Sequence, residues 1–228
     1  MHKKVLAGVV TAGSLLLSGA LALGSGAGSG ISADEALQKL LDGNKRYVEQ
    51  HMTGEKLCDV SAREGLAKSQ HPYAIILSCS DSRVPPEIVF DKGLGEIFVV
   101  RVAGNVPDPV VLGSVEYAAE HLGSPLVMVL GHERCGAVTA AVDAKGKPEG
   151  NIGAIIKTIA PAVKQAKKEF RGTDTAGLVE AAIDVNVKLV AGNLIKRSPV
   201  LKHMVKEGKL KIVAAKYDLD DGQVRLLK

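Results

Sequence analysis

Residues 73–86 read Tyr-Ala-Ile-Ile-Leu-Ser-Cys-Ser-Asp-Ser-Arg-Val-Pro-Pro. The run Tyr73–Ser78 is almost wholly apolar, on both faces of an extended chain. That is the pattern of a parallel strand covered by helices on both sides. Glu96–Val102, Pro125–Leu130 and Lys211–Tyr217 repeat it. Helical segments are expected between these runs, at 84–90, 109–122, 136–144, 152–170, 174–197 and 199–207. Two more precede them, at 33–50 and 60–69. For the first, Ser32-Ala33-Asp34-Glu35 forms an N-cap signature, and Ala36, Leu37, Leu40, Leu41 and Tyr47 follow at helical spacing. Thr173 and Asp174 offer caps for the long helix, and Gly208 stops the last one. An Asp220-Asp221-Gly222 turn leads into an edge strand at Gln223–Leu227. Strands alternating with helices define an α/β fold. Its predicted form is a central mostly parallel sheet, with four parallel strands and an edge strand, flanked by helices.

The chain has 228 residues, 46% hydrophobic and 24% charged. This suits a soluble globular protein with one α/β domain over residues 31–228. The pI near 8.9 is mildly basic, and no Lys/Arg run has the length of a nucleic-acid arm. With no Trp, four Tyr and three Phe, the chain offers no base-stacking platform. Nucleic acid is therefore not an expected partner.

The N-terminus differs in character. Met1-His2-Lys3-Lys4 is basic, Val5–Ala22 is apolar and small, and Ala20-Leu21-Ala22 matches a small-residue cleavage site. Residues 1–22 are read as a signal peptide and 23–30 as a Gly/Ser-rich flexible linker. Gly8, Gly13, Ser14, Ser18 and Gly19 weaken the same stretch as a membrane span. Cleavage removes Lys3 and Lys4 and lowers the formal charge from +4 to +2. The expectation is export, to a bacterial periplasm, with no membrane attachment after cleavage.

Three cysteines, Cys58, Cys79 and Cys135, remain in the mature chain. An odd number is a poor disulfide framework. Ligands of open α/β sheets bind beyond the carboxyl ends of the strands. There the sequence places Cys79-Ser80-Asp81-Ser82-Arg83, then Ala103-Gly104-Asn105, then Gly131-His132-Glu133-Arg134-Cys135-Gly136. If the first and third of these strands are neighbours, Cys79, His132 and Cys135 converge. Taken singly, each reads as a core residue; two clusters at two strand ends favour a metal. A Cys₂His set with an open fourth position is a catalytic zinc pattern. Iron–sulfur clusters usually need four Cys, and thioredoxin chemistry needs a Cys-x-x-Cys pair that is absent. Asp81 and Arg83 point the same way if the segment stays extended past Cys79. An Asp beside an Arg stays ionised, as a fixed acceptor near the metal. Cys58, standing alone, reads as a small buried hydrophobe.

Cys79-Ser80-Asp81-Ser82-Arg83, followed some fifty residues later by Gly131-His132-x-x-Cys135-Gly136, resembles the β-class carbonic anhydrases. The similarity runs from Ala33 to the C-terminus. It is strongest from Gln70 to Ala144, including Arg101-Val102-Ala103-Gly104-Asn105 and Glu116-Tyr117-Ala118. The resemblance implies one zinc ion per subunit, on Cys79, His132 and Cys135. It implies reversible hydration of CO₂ to bicarbonate and a proton by a zinc-bound hydroxide that the Asp81–Arg83 dyad orients. In a closed, inactive form Asp81 would itself be a ligand. Substrate contacts are implied for Gln70, Phe98, Gly104 and Tyr117, and the assembly for a homodimer or larger homo-oligomer. Some members carry a Trp where this chain has Ile76, as part of an inhibitory bicarbonate site; the resemblance does not extend to that feature. Two thiolates make the site electron-rich, so activity is expected to rise with alkaline pH. Hydrolysis of CS₂ or COS is the alternative within the fold. A closed, inert zinc protein is the alternative outside catalysis, and Arg83 argues against it by giving Asp81 another partner.

Overall fold

Alternating apolar runs and amphipathic segments assemble, in the computed structural model, into one sheet with helices on both faces. Residues 28–54, 58–146, 148 and 150–228 are described; the expected signal peptide and most of the linker lie outside them. The strands are β1 (Ala74–Ser78), β2 (Ile97–Arg101), β3 (Leu126–His132), β4 (Lys211–Tyr217) and β5 (Val224–Leu226). Their order is β2-β1-β3-β4-β5. The first four pair in parallel, and β5 joins the edge antiparallel. The helices are α1 (Ala33–Val48), α2 (Val60–Leu66), α3 (Pro86–Val89), α4 (Pro109–Glu120), α5 (Gly136–Asp143), α6 (Ile152–Glu169), α7 (Thr175–Arg197) and α8 (Pro199–Lys206).

The caps read from sequence are in place. Ser32 accepts the Glu35 N–H at the start of α1, and Asp174 accepts the Gly177 N–H at the start of α7. Gly208, at φ +71°, lets the chain leave α8.

Side chains of β1 alternate between two cores, as the period of a strand requires. Ile75, Leu77 and Cys79 join the core formed with α4, α5, α6 and α7. Ala74 and Ile76 join the core formed with α1 and α3. Every position of β1 and β3 is buried.

Three expectations change. β3 runs on through His132, because β4 continues to pair with it there: Gly131 meets Lys216 and His132 meets Tyr217. β2, expected to be covered, lies at the edge of the sheet, and its apolar side chains are half-buried. Cys58 is exposed, where a buried side chain was expected. No described helix is long and apolar enough to cross a membrane.

The loop after α3 is held by a buried carboxylate. Asp91 adopts φ +49° and its side chain is fully buried. It accepts the N–H groups of Thr53 (2.8 Å) and Gly54 (2.5 Å), the Thr53 hydroxyl (3.1 Å) and Arg46 Nε (2.5 Å). This ties α1 and residues 53–54 to the segment that leads into β2. Burial pushes the Asp91 carboxyl up; the donors from Gly54, Arg46 and Thr53 outweigh it, so the net shift is downward. A depressed folded value makes this contribution complete above the ordinary carboxylate pKa of about 3.9, and it is lost as pH falls through the folded value. Asp91→Asn is therefore expected to cost about 2–3 kcal/mol at neutral pH. Urea unfolding of both proteins should show that gap narrowing below about pH 4.

Candidate metal centre

The parallel pairing of β1 with β3 sets Ser78 level with Leu130. Just past these positions, Cys79, His132 and Cys135 meet, all buried, with donor atoms within 4.8 Å of one another. Cys79 Sγ and Cys135 Sγ are 4.0 Å apart and are free thiols. Two sulfurs on a tetrahedral zinc at about 2.3 Å would stand about 3.8 Å apart.

His132 supplies a sharper sign. Its Nδ1 lies 2.8 Å from the Glu133 carbonyl, which can only accept, so Nδ1 carries the proton and donates. In the neutral ring Nε2 then has a bare lone pair. It is buried and has no hydrogen-bond partner, an arrangement that is costly unless a metal takes that lone pair. The donor set fits a zinc ion on these grounds.

The thiols are tuned unequally. Cys79 is held well below the usual thiol range, first by the hydrogen bond from Cys135 and against its own burial. Gly104 N–H also donates to Cys79 Sγ, at 3.3 Å. Cys135 is pushed up, first by donating to Cys79 and then by burial.

Asp81 and Arg83 are brought together by a turn, where an extended segment was expected. Val84 N–H donates to Asp81 O (3.0 Å), and Arg83 N–H donates to Asp81 Oδ1 (3.0 Å). The short carboxylate caps its own turn, as Asp does readily. The guanidinium then folds back with Nε on Oδ1 (2.9 Å) and an Nη on Oδ2 (2.8 Å). This bidentate pairing holds the Asp81 carboxyl well below the usual carboxylate range. Asp81 Oδ2 stands 3.7 Å from His132 Nε2, beside the donor set.

Two arginines shape this site: Arg134, whose place between two metal-capable residues marks it in the sequence as shaping the loop, and Arg101, to which sequence reading gave no role. Arg101, at the end of β2, donates to Cys79 O (3.0 Å) and to Asp81 O (2.6 Å), clamping the ligand loop. A lone charge closing an apolar strand was the available signal. Arg134 holds φ +50° between two of the metal-capable residues. Its N–H is taken by Glu180 on α7 (2.8 Å) and its guanidinium by Asp220 (2.9 and 3.0 Å). A second acidic group, Glu133, Asp218 and Asp220, is bridged by Arg134 and Arg225, so each carboxylate has a cationic partner within the protein.

The four expected substrate contacts fall in two places. Gly104 is at the metal loop, with its N–H committed to Cys79. Phe98 pairs in register with Ile75, about 13 Å back along the sheet from Cys79. Its ring lies 6.3 Å from that of Tyr117. Tyr117 and Gln70 share an open cleft of about 550 Å³ that contains none of the metal-capable residues. Gln70, Phe98 and Tyr117 thus gather on the β2 side of the sheet, away from their own chain's metal centre.

The family model for carbonic anhydrase matches residues 74–224. Carbonic anhydrase 2 of Mycobacterium tuberculosis is 40% identical over 197 residues, covering 84% of this chain and 91% of that one. The carbonic anhydrase of Mycolicibacterium smegmatis is 39% identical over 197 residues, with the same coverage. Among solved structures, Coccomyxa β-carbonic anhydrase in complex with acetazolamide superposes with a TM-score of 0.69 at 26% identity, over 84% of this chain and 86% of that one. The β-carbonic anhydrase CafA of Aspergillus fumigatus gives 0.68 at 26% identity, over 86% and 90%. The chain belongs to the carbonic anhydrase family, in its β class, and is an enzyme of the lyase type.

Replacing one donor should empty the centre without unfolding the sheet. In Cys79→Ser, zinc affinity measured by chelator competition is expected to fall by more than about 100-fold, beyond the usual effect of an outer hydrogen-bond partner.

Proposed function

We propose that this chain catalyses the reversible hydration of CO₂ to bicarbonate and a proton, at one zinc ion held by Cys79, His132 and Cys135. The observation that carries the reading is the bare, buried Nε2 of His132 facing two sulfurs. Zinc bound there supplies a Lewis acid that brings a water's pKa to about 7.

The protein's own groups do the rest. Arg83 occupies one side of both Asp81 oxygens, so the carboxylate is kept ionised and out of the donor set. A zinc ion held by Cys79, His132 and Cys135 would then keep a position for a small exogenous ligand. Asp81 Oδ2, 3.7 Å from His132 Nε2, accepts the hydrogen of the attacking water and aims its lone pair. Arg101 holds both loop carbonyls around Asp81 and so fixes the angle of that acceptor. In a closed form, Asp81 would exchange Arg83 for the metal.

The homo-oligomer reading follows from the misplaced pocket. Gln70, Phe98 and Tyr117 flank the open edge of β2, and they would contact substrate at the metal centre of a second copy docked there. Export through the N-terminal segment completes the proposal.

Stopped-flow CO₂ hydration on the zinc-loaded protein should show activity in the wild type. Asp81→Asn should lower kcat/KM by about 100-fold or more with zinc retained. Full activity in zinc-free Cys79→Ser would sink the mechanism. In sedimentation the protein should run as a dimer or larger; a fully active monomer would overturn the shared-site reading.

A further inference from the structure

α7 buries Val179, Ala182, Ile183, Asn186, Val187, Val190 and Leu194 along one seam. Asn186 is the polar exception, only 4% exposed in the middle of a helix. A buried amide is costly without a partner. Here Nδ2 donates to the carbonyl of Gly104, at 3.1 Å. The two residues are 82 positions apart in the chain, so the contact belongs to tertiary design and serves no local turn.

Gly104 is the residue whose own N–H donates to Cys79 Sγ. It needs to be glycine on two counts. Its φ is +66°, and a Cβ there would stand 2.6 Å from Ile159 Cδ1 and 3.2 Å from Ala137 Cβ. Glycine fits this conformation but does not enforce it, since it populates both signs of φ with similar ease. The direction of the N–H must therefore be set from outside. Of the two peptide groups flanking Gly104, one presents its N–H to sulfur and the other its carbonyl to Asn186. Neighbours of Asn186 along α7 pack against the end of β3 beside His132: Val187 and Ile183 lie against Gly131, where a Cβ would meet Val187 Cγ2 at 2.3 Å.

We propose that Asn186 is a positioning residue for the metal ligand Cys79, holding the Gly104 peptide so that its N–H stays on the sulfur. It touches neither substrate nor metal. It acts through Gly104, by fixing how much electron density Cys79 delivers to the ion and how firmly the ion is held. This rests on the reading of Cys79, His132 and Cys135 as the ligand set.

The test uses the full-length protein loaded with cobalt(II) in place of zinc, read by the sulfur-to-cobalt charge-transfer band. An N–H bond stabilises the sulfur lone pair, so its loss should move that band to longer wavelength. Asn186→Leu removes the donor at similar volume; the band should shift, and cobalt affinity by chelator competition should fall about 10–100-fold. Val187→Ala opens a cavity on the same helix beside the same loops, with no hydrogen bond lost, and should leave the band in place. Where Asn186→Leu does not fold, Asn186→Ser, too short to span to Gly104, carries the same expectation. An unmoved band in a folded, cobalt-loaded Asn186 variant overturns the inference, as does an equal shift in Val187→Ala. A wild-type protein that takes up no cobalt overturns the ligand-set reading itself, and the inference with it.

Discussion

The pairing of β1 with β3 is the constraint on which the rest of the molecule depends. These strands are neighbours in the sheet, yet β2 lies between them in the chain and on the far side of β1. The direction of winding reverses between β1 and β3, which leaves a crevice at their carboxyl ends. Register does the remaining work. With Ser78 level with Leu130, Cys79 faces the core beneath α4–α7, on the side where Cys135 also lies. A slip of one residue would turn Cys79 toward α1 and dissolve the donor set. Burial of every side chain in both strands is what makes such a slip prohibitive.

Around that crevice the charges are arranged in layers. Closest in is Asp81, neutralised by Arg83 and braced through its backbone by Arg101. Farther out, Arg134 joins Glu180 of α7 to Asp220 of the turn between β4 and β5. The loop carrying His132 and Cys135 is therefore pinned from both flanks, and its left-handed residue at Arg134 is held in place by its neighbours. Exposed ion pairs of this kind contribute little stability singly. Their value here is geometric.

Much of this was legible in the sequence, because it depends on local signals. Apolar runs, capping residues and stop glycines located the strands and helices to within a few residues. Clusters of rare residue types at strand ends located Cys79, His132 and Cys135. What escaped notice was either ambiguous locally or dependent on distant partners. The turn that joins Asp81 to Arg83 comes from a side chain capping its own backbone, and a short polar stretch looks the same either way. Arg101 and Asn186 earn their roles only once β2 and α7 are docked. The half-buried state of β2 depends on strand order, which no apolar run reveals. Gln70, Phe98 and Tyr117 were recognised as a set through resemblance, with no indication that they lie apart from their own metal centre.

The short distance between the two buried sulfurs has a topological side. Cys79 and Cys135 are 56 positions apart in the chain, and the segment between them contains β2, α3, α4 and β3. An ion gripping both closes that whole segment into a loop, as a disulfide would. By chain entropy alone, a cross-link of that span is worth about 4 kcal/mol. With zinc bound, the two cysteines would double as a staple across the middle of the sheet, and a chain so small in aromatic content would gain a tie that its hydrophobic core does not have to provide.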